Sequence, residues 1–322
     1  MRILFPDIHL TLTKNFAISM QKLGHEVIVP SKEYKPTYYP RPPINHFVWN
    51  KSWTQELLDS KINLPNIKAL SKQEILDIKP DIIFVTAFEN QEEIIKEIYS
   101  KAKEWGAKLV YYSGNDYWDG AYDKQYLKNY LCADKTGLMI AQKLGINYLS
   151  YKPYVDFDMF SFAGVSDGNL IGTYIGEYNK IFPQDFIMYL EYQKAVNGAR
   201  FKFHSKSTKE QTAECMKESI ATLHIKHCEG YGYALIEAMG RGRPAFLYKP
   251  FAVGKMYEEW AKEGETALYF SSKEEFSEKM GRILNDSDYR HNLQINCAKK
   301  IRELIDNDKM NKKLEEFFSK LI

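Results

Sequence analysis

The sequence predicts an α/β protein built from two Rossmann-like domains, and three observations support this prediction. The chain has 322 residues, more than one hydrophobic core usually holds. Short apolar runs alternate with amphipathic stretches, which is the pattern of parallel strands joined by helices. Hydrophobic residues make up 44% and charged residues 27% of the chain, as in globular proteins and unlike disordered ones.

In the first half, apolar runs predict buried parallel strands, and helical periodicity predicts the helices between them. The predicted strands cover 2–6, 25–30, 82–85 and 107–112, and the predicted helices cover 13–23 and 91–105. Ligands of a parallel sheet gather at the carboxyl ends of its strands. The residues expected to line a binding cleft from this side are therefore His9, Thr86, Glu89, Asn115 and Asp116.

The second half continues the alternation and ends in helices. We predict that its domain begins near Asn169. Strands are predicted at 170–175, 201–204 and 221–226, and helices at 273–284, 288–305 and 309–322.

Charge and cysteine content limit the classes of protein. Lys and Arg total 44 against 42 Asp and Glu, a formal charge of +2, so global charge does not favour nucleic acid or membrane binding. Four cysteines without a Cys-x-x-Cys pair indicate reduced thiols. Because the sequence shows no signal-peptide pattern and no apolar run of membrane-spanning length, we expect a cytoplasmic protein without a membrane span.

The most informative motif is a pair of glutamates around a Gly-x-Gly turn. Glu229 and Glu237 stand with seven residues between them, and Gly230 and Gly232 form the turn. The glycines let the main chain approach a ligand, and the unpaired N–H groups of a helix start favour an anion. If the helix begins near Tyr231, the second glutamate lies roughly 9 Å along its axis. One carboxylate can hold a sugar ring and the other a ribose, so the motif predicts a nucleotide-sugar site.

The same segment resembles the signature of the family 4 retaining glycosyltransferases, which have the GT-B fold of two Rossmann-like domains facing across a cleft. Ala238, Met239, Gly242 and Pro244 match the continuation of that signature. The resemblance implies that the first glutamate contacts the donor sugar and the second the nucleotide ribose. The donor-binding residues that we predict are Gly176, Lys180, Lys206, Glu229, Gly230, Tyr231, Gly232, Tyr233 and Glu237.

Domain boundaries follow from the same resemblance. Pro153, Val155, Asp156 and Phe160 are similar to the linker between the two domains of that family. Residues 263–270 resemble the loop and strand that follow the signature helix. The resemblance implies an acceptor-side domain at 1–155, a nucleotide-sugar-binding domain at 156–308 and a helix at 309–322 that returns to the first domain.

The resemblance is weakest where positive charge is expected. After the strand at 170–175 the family has Gly-Arg and then Lys-Gly, whereas this chain has Gly176, Glu177 and then Lys180. A glutamate at this position would repel a diphosphate. Lys180 and Lys206 are therefore the candidates for neutralising the diphosphate charge.

The resemblance implies a retaining, hexosyltransferase-like enzyme. It would move a sugar from a nucleoside diphosphate sugar, such as a UDP-hexose, to a hydroxyl acceptor. The departing diphosphate would assist deprotonation of the acceptor, so catalysis would rest on positioning and electrostatics, with no metal or other cofactor required. The candidate catalytic residues are Glu229, Lys180 and His9. The acceptor stays open among a glycan, a small molecule and DNA.

Two motifs are compatible with metal ions but favour structural roles. Asp156 and Asp158 form an Asp-x-Asp sequence, yet Asp156 matches a structural aspartate of the family linker. His224, His227 and Cys228 suggest zinc, but alternation along a strand would separate the two histidines, and no fourth ligand has a suitable spacing. We therefore predict no metal site.

Residues 31–55 interleave cations and aromatic rings. Such a segment can stack on sugars, or stack on bases while it neutralises phosphates, and packing of its rings on the domain is an equally good explanation. It raises the possibility that the acceptor is a hydroxymethylated pyrimidine in phage DNA. Two alternative functions remain open: a nucleotide-sugar epimerase on the same fold, and an inactive GT-B-like protein that binds nucleic acid.

Overall fold

The chain forms two compact units. A computed structural model describes residues 1–6, 10–30, 67–85, 92–113, 126, 128–132, 135–174, 182–204, 208–227 and 231–322. One unit comprises Met1–Tyr154 and Asn307–Ile322, and the other comprises Val155–Asp306. In these described ranges, no helix has the length and apolarity needed to cross a lipid bilayer.

The first unit is built on a parallel sheet. Its strands are β1 (Arg2–Leu4), β2 (Glu26–Pro30), β3 (Ile67–Leu70), β4 (Ile82–Val85), β5 (Lys108–Ser113), β6 (Asn129–Cys132) and β7 (Asn147–Ser150). They lie in the order β3-β2-β1-β4-β5-β6-β7. All four residues of β4 are buried, as expected of a central strand in a sheet with helices on both faces.

Helices lie between these strands along the chain. They are α1 (Leu10–Lys22), α2 (Lys72–Ile78), α3 (Glu92–Trp105) and α4 (Lys135–Leu144). Ser71 and Glu74 form a capping box that begins α2, and this reciprocal bonding satisfies two N–H groups of the helix start. Phe16 of α1 packs on Phe84, with 4.7 Å between ring centroids, so the helix is held against the centre of the sheet.

The C-terminal helix Asn307–Ser319 belongs to the first unit. Its apolar residues Leu314, Phe317 and Phe318 are buried, and their spacing of three and four positions makes one apolar stripe. The ring of Phe318 lies 6.1 Å from that of His25 and 6.4 Å from that of Phe84.

His25 makes the stability of this unit depend on pH. The residue is 7% exposed, and burial, reinforced by the positive charge of the amino terminus, lowers its pKa from 6.5 to about 4. The folded state therefore binds the proton less readily than the unfolded state. The contribution of neutral His25 to the free energy of unfolding is complete above pH 6.5 and is lost as the pH falls towards 4.

We expect His25→Leu to remove this part of the pH dependence. Wild-type protein should lose on the order of 2 kcal/mol more of its free energy of unfolding than the variant between pH 6.5 and 4. Urea unfolding followed by tryptophan fluorescence reports mainly on the first unit, which contains His25, because four of the five tryptophans precede Tyr154. Equal pH slopes for the two proteins would contradict the assignment.

The second unit also has a parallel sheet. Its strands are β8 (Leu170–Tyr174), β9 (Arg200–His204), β10 (Ala221–His224), β11 (Ala245–Tyr248) and β12 (Ala267–Phe270), in the order β12-β11-β10-β8-β9. Its α-helices are α5 (Pro183–Lys194), α6 (Lys209–Glu218), α7 (Tyr233–Gly240), α8 (Lys249–Ala252), α9 (Lys273–Asn285) and α10 (Ser287–Leu304); the C-terminal helix of the first unit is α11. Two parallel sheets with alternating helices confirm the predicted α/β class.

Candidate functional site

The order of strands in the second sheet identifies where a ligand can bind. The chain passes from β8 to β9 on one side and then crosses to β10 on the other side of β8. The carboxyl ends of β8 and β10 therefore flank a topological switch point, where open parallel sheets bind their ligands. The segment after β10 contains the glutamate motif predicted from the sequence.

A glycine forms the turn into the motif helix. Gly232 has a φ of 75° and is the N-cap of α7, a left-handed conformation that glycine adopts without strain. Its carbonyl accepts from the N–H groups of Leu235 and Ile236 at 3.0 and 3.1 Å. The helix begins at Tyr233, so the predicted start near Tyr231 is wrong by two residues.

The later start changes the geometry expected of the motif. Glu237 is four positions after Tyr233, a rise of about 6 Å along the axis. The sequence interpretation placed Tyr231 and Gly232 inside the helix. Gly232 has a positive φ, which is incompatible with a continuous α-helix, so these two residues form a turn before it. Glu237 therefore lies nearer the start of the helix than the predicted distance of about 9 Å, although it is beyond the first turn.

Tyrosines on either side of Gly232 pack the turn against the unit. Tyr231 is 3% exposed, and its ring lies 5.1 Å from that of Trp260. The ring of Tyr233 meets that of Tyr231 edge to face at 4.9 Å. The two rings bury aromatic surface beneath the turn and hold its main chain in place.

Glu237 is a buried carboxylate with a positively charged partner. Its side chain is 6% exposed, and Lys209 Nζ bonds to its Oε1. Burying a charge is costly unless it is paired, so this ion pair explains how α7 tolerates a glutamate on its inner face. The ammonium also lies 5.5 Å from the ring centroid of Phe160.

Lys209 is a candidate site residue that the sequence interpretation missed. It is the first residue of α6, which begins with a capping box between Thr208 and Gln211. A cation in the first turn opposes the helix dipole, so local helix energetics do not explain it. The Thr-x-x-Gln pattern signals the helix start, but only the packing of α6 beside α7 shows which carboxylate the lysine meets.

Most of the other predicted site residues fall outside the described residues. Tyr231 and Gly232 precede α7, and Tyr233 and Glu237 lie on it. The predicted residues outside the described ranges are His9, Thr86, Glu89, Asn115, Asp116, Gly176, Lys180, Lys206, Glu229 and Gly230, with Glu177, Cys228 and the segment 31–55.

The sequence motifs considered for metal binding have other local roles. Asp156 Oδ1 accepts the N–H of Met159 at 3.0 Å, which closes a turn, and Asp158 is exposed. β10 ends at His224, so His227 lies beyond the strand and the predicted separation by alternation does not apply to it. Over the described ranges, His, Cys, Asp and Glu side chains form no group of three suited to a metal ion.

Comparison with known proteins relates the second unit to one family. Residues 185–300, about a third of the chain, match the family model described as glycosyl transferases group 1. No curated protein matches the sequence.

Solved structures match over nearly the whole chain. Anabaena Alr3699/HepE, in complex with UDP and glucose, has a TM-score of 0.69 at 10% identity, with 99% of this chain and 100% of that chain covered. The sucrose-phosphate synthase (tll1590) of Thermosynechococcus elongatus has a TM-score of 0.65 at 12% identity, with 100% of this chain and 99% of that chain covered. A putative UDP-N-acetylglucosamine 2-epimerase of Listeria monocytogenes has a TM-score of 0.59 at 10% identity, with 99% of this chain and 96% of that chain covered. The fold is therefore GT-B, and its second unit contains a region similar to glycosyl transferases group 1.

Proposed function

We propose that this protein is a retaining glycosyltransferase that moves a sugar from a nucleoside diphosphate sugar, such as a UDP-hexose, to a hydroxyl acceptor. The observation that supports this most is the buried Glu237 carboxylate. It lies on a helix opened by a left-handed glycine, beside the switch point of the second sheet. The match of residues 185–300 to glycosyl transferases group 1 supports the same chemistry.

In this proposal Glu237 binds the ribose of the donor. A carboxylate is an acceptor with two oxygens, and the two hydroxyls of a ribose are donors that match it. Lys209 holds the Glu237 carboxylate through Oε1. The start of α7 then presents main-chain N–H groups and the positive end of its dipole to the diphosphate.

Lys209 also reduces a repulsion that the donor would otherwise meet. A buried glutamate and a diphosphate carry like charges, and their repulsion is strong in a site shielded from water. Pairing with Lys209 makes the Glu237 environment nearly neutral before the donor arrives. Lys180 and Lys206 remain our candidates for direct contact with the diphosphate, and Glu229 remains our candidate for contact with the donor sugar.

The proposed reaction needs no protein nucleophile. The departing diphosphate takes the proton of the acceptor hydroxyl on the face from which it leaves, and the sugar carbon forms its new bond on that face. The protein contributes positioning and stabilisation of the developing negative charge. We propose that this proceeds without a metal ion, and that His9, Thr86, Glu89, Asn115 and Asp116 lie on the acceptor side. A glycan, a small molecule and hydroxymethylated pyrimidine in DNA are the candidate acceptors.

A panel of nucleotide sugars tests the donor class. We expect UDP-glucose or a related donor to raise the melting temperature, because a ligand at 100 times its Kd stabilises the folded state by about 2.7 kcal/mol. UDP, ADP and GDP, each with and without a hexose, identify the nucleotide. If none of them shifts the melting temperature at millimolar concentration, the proposal is wrong.

An epimerase is the second candidate, favoured by the fold similarity to the putative UDP-N-acetylglucosamine 2-epimerase. The two activities differ in what happens without an acceptor. An epimerase converts the stabilising UDP-sugar into its epimer, whereas a retaining transferase at most releases the sugar slowly with unchanged anomeric configuration. NMR of the sugar products separates these outcomes.

A further inference from the structure

A histidine–aspartate pair stands at the switch point of the second sheet, apart from the glutamate motif. Asp185 lies in the first turn of α5 with its side chain 5% exposed. Its Oδ2 accepts the main-chain N–H of His227 at 3.0 Å and lies 2.7 Å from the Nδ1 of the same residue. One carboxylate oxygen thus holds both the backbone and the ring of His227.

This arrangement sets the orientation of the imidazole. Nδ1 carries a proton, because the atom facing it is a carboxylate oxygen. Phe182 packs its ring edge to face at 4.6 Å, and Phe251 lies 6.0 Å away on another side. The imidazole side chain is still 42% exposed. In the described part of the chain, its Nε2 has no hydrogen-bonding partner, so this atom is held in a defined place and left accessible.

The pair joins both sides of the switch point. Phe182 and Asp185 follow the segment that leaves β8, and His227 follows β10 two residues before Glu229. The pair therefore lies next to the strand ends where an open parallel sheet binds its ligands. A histidine whose second nitrogen is held by a buried carboxylate is a common way to aim the first nitrogen at a reacting or bound group.

We propose that His227 contacts the donor through Nε2 at a phosphate oxygen, and that Asp185 is the residue that positions it. This rests on the proposed glycosyltransferase function and adds a residue to its donor site. An imidazole with protons on both nitrogens donates from Nε2 to a phosphate oxygen and brings positive charge. In the sequence, Glu177 stands where the resemblance implies a cation, so a further positive charge complements the diphosphate.

His227→Phe tests the contact, since phenylalanine keeps a ring between Phe182 and Phe251. We expect the Kd for UDP, measured by calorimetry, to rise about tenfold, while the Kd for uridine changes less than twofold. Asp185→Asn should raise the Kd for UDP by a smaller factor, because the amide holds the ring less firmly. A role in packing alone would weaken UDP and uridine equally.

A second histidine–aspartate pair supplies the control. His291 of α10 contacts Asp167 Oδ1 through its Nε2, and Asp167 precedes β8, at the end of that strand opposite its carboxyl end. His291→Phe should leave the Kd for UDP unchanged. If wild type and His227→Phe bind UDP equally well, His227 does not contact the phosphate, and the proposed glycosyltransferase function is unaffected. A loss seen with UDP-glucose but not with UDP overturns the phosphate contact and indicates the sugar instead. If wild-type protein binds neither UDP nor ADP nor GDP, the proposed function fails, and the assignment fails with it.

Discussion

Glu237→Gln is expected to raise the Kd for UDP at least tenfold while the protein stays folded. The amide keeps the size of the side chain but loses the charge that attracts two ribose hydroxyls, and hydrogen bonds to charged groups are the stronger ones. The contact can be isolated with 2′,3′-dideoxy-UDP. Wild-type protein should bind it much more weakly than UDP, and Glu237→Gln should bind the two nucleotides with similar affinity.

Lys209→Met separates the structural role of the ion pair from its role in binding. Removing the lysine leaves a buried carboxylate without its cation, so the free energy of unfolding should fall by about 3 kcal/mol. The double variant Glu237→Gln/Lys209→Met has neither charge and should recover most of that stability. It should still fail to distinguish UDP from its dideoxy analogue. Recovery of ribose discrimination in the double variant would show that Glu237 does not bind the ribose.

Arg243→Met is expected to destabilise the second unit by about 3–5 kcal/mol. The Arg243 side chain is buried, and burial lowers its pKa to about 10, so it is still charged at neutral pH. Its guanidinium donates to the carbonyl oxygens of Met216 at 2.8 Å, Lys217 at 2.8 Å and Gly164 at 2.9 Å. Methionine fills the space but leaves these carbonyls, two of them at the end of α6, without donors.

The measurement is urea unfolding followed by far-UV circular dichroism. Arg243→Lys should lose less stability, because an ammonium replaces part of the donor set. Lys217→Met serves as the control at the same helix end, since its side chain is 56% exposed, and it should change stability by less than about 0.5 kcal/mol. Similar stability of Arg243→Met and the control would refute the capping role.

Elements with continuous apolar runs were predictable from the sequence. The strand at 82–85 has the predicted bounds, and the helices predicted at 91–105 and 273–284 lie within one residue of the observed ones. β7 was not predicted, because Asn147–Ser150 is mostly exposed and an edge strand has no apolar run to reveal it. The start of α7 was misplaced, since glycine is compatible both with a helix start and with a left-handed turn.

Partners of charged side chains could not be predicted. Lys209, Arg243 and Asp185 have nothing in their local sequence to distinguish them from exposed residues. Each meets a partner far along the chain: Glu237 is 28 positions from Lys209, Met216 is 27 from Arg243, and His227 is 42 from Asp185. Such partners meet only when helices pack on the sheet.

The sequence by itself determined the α/β class and the position of the glutamate motif, because periodicity of apolar residues and the backbone freedom of glycine are local properties. Tertiary structure alone decided which charges meet. Glu237 is a paired carboxylate because α6 packs beside α7, and His227 is an oriented imidazole because α5 brings Asp185 to the end of β10. Burial makes an unpaired charge costly, and burial is a property of the packed unit and not of any one segment.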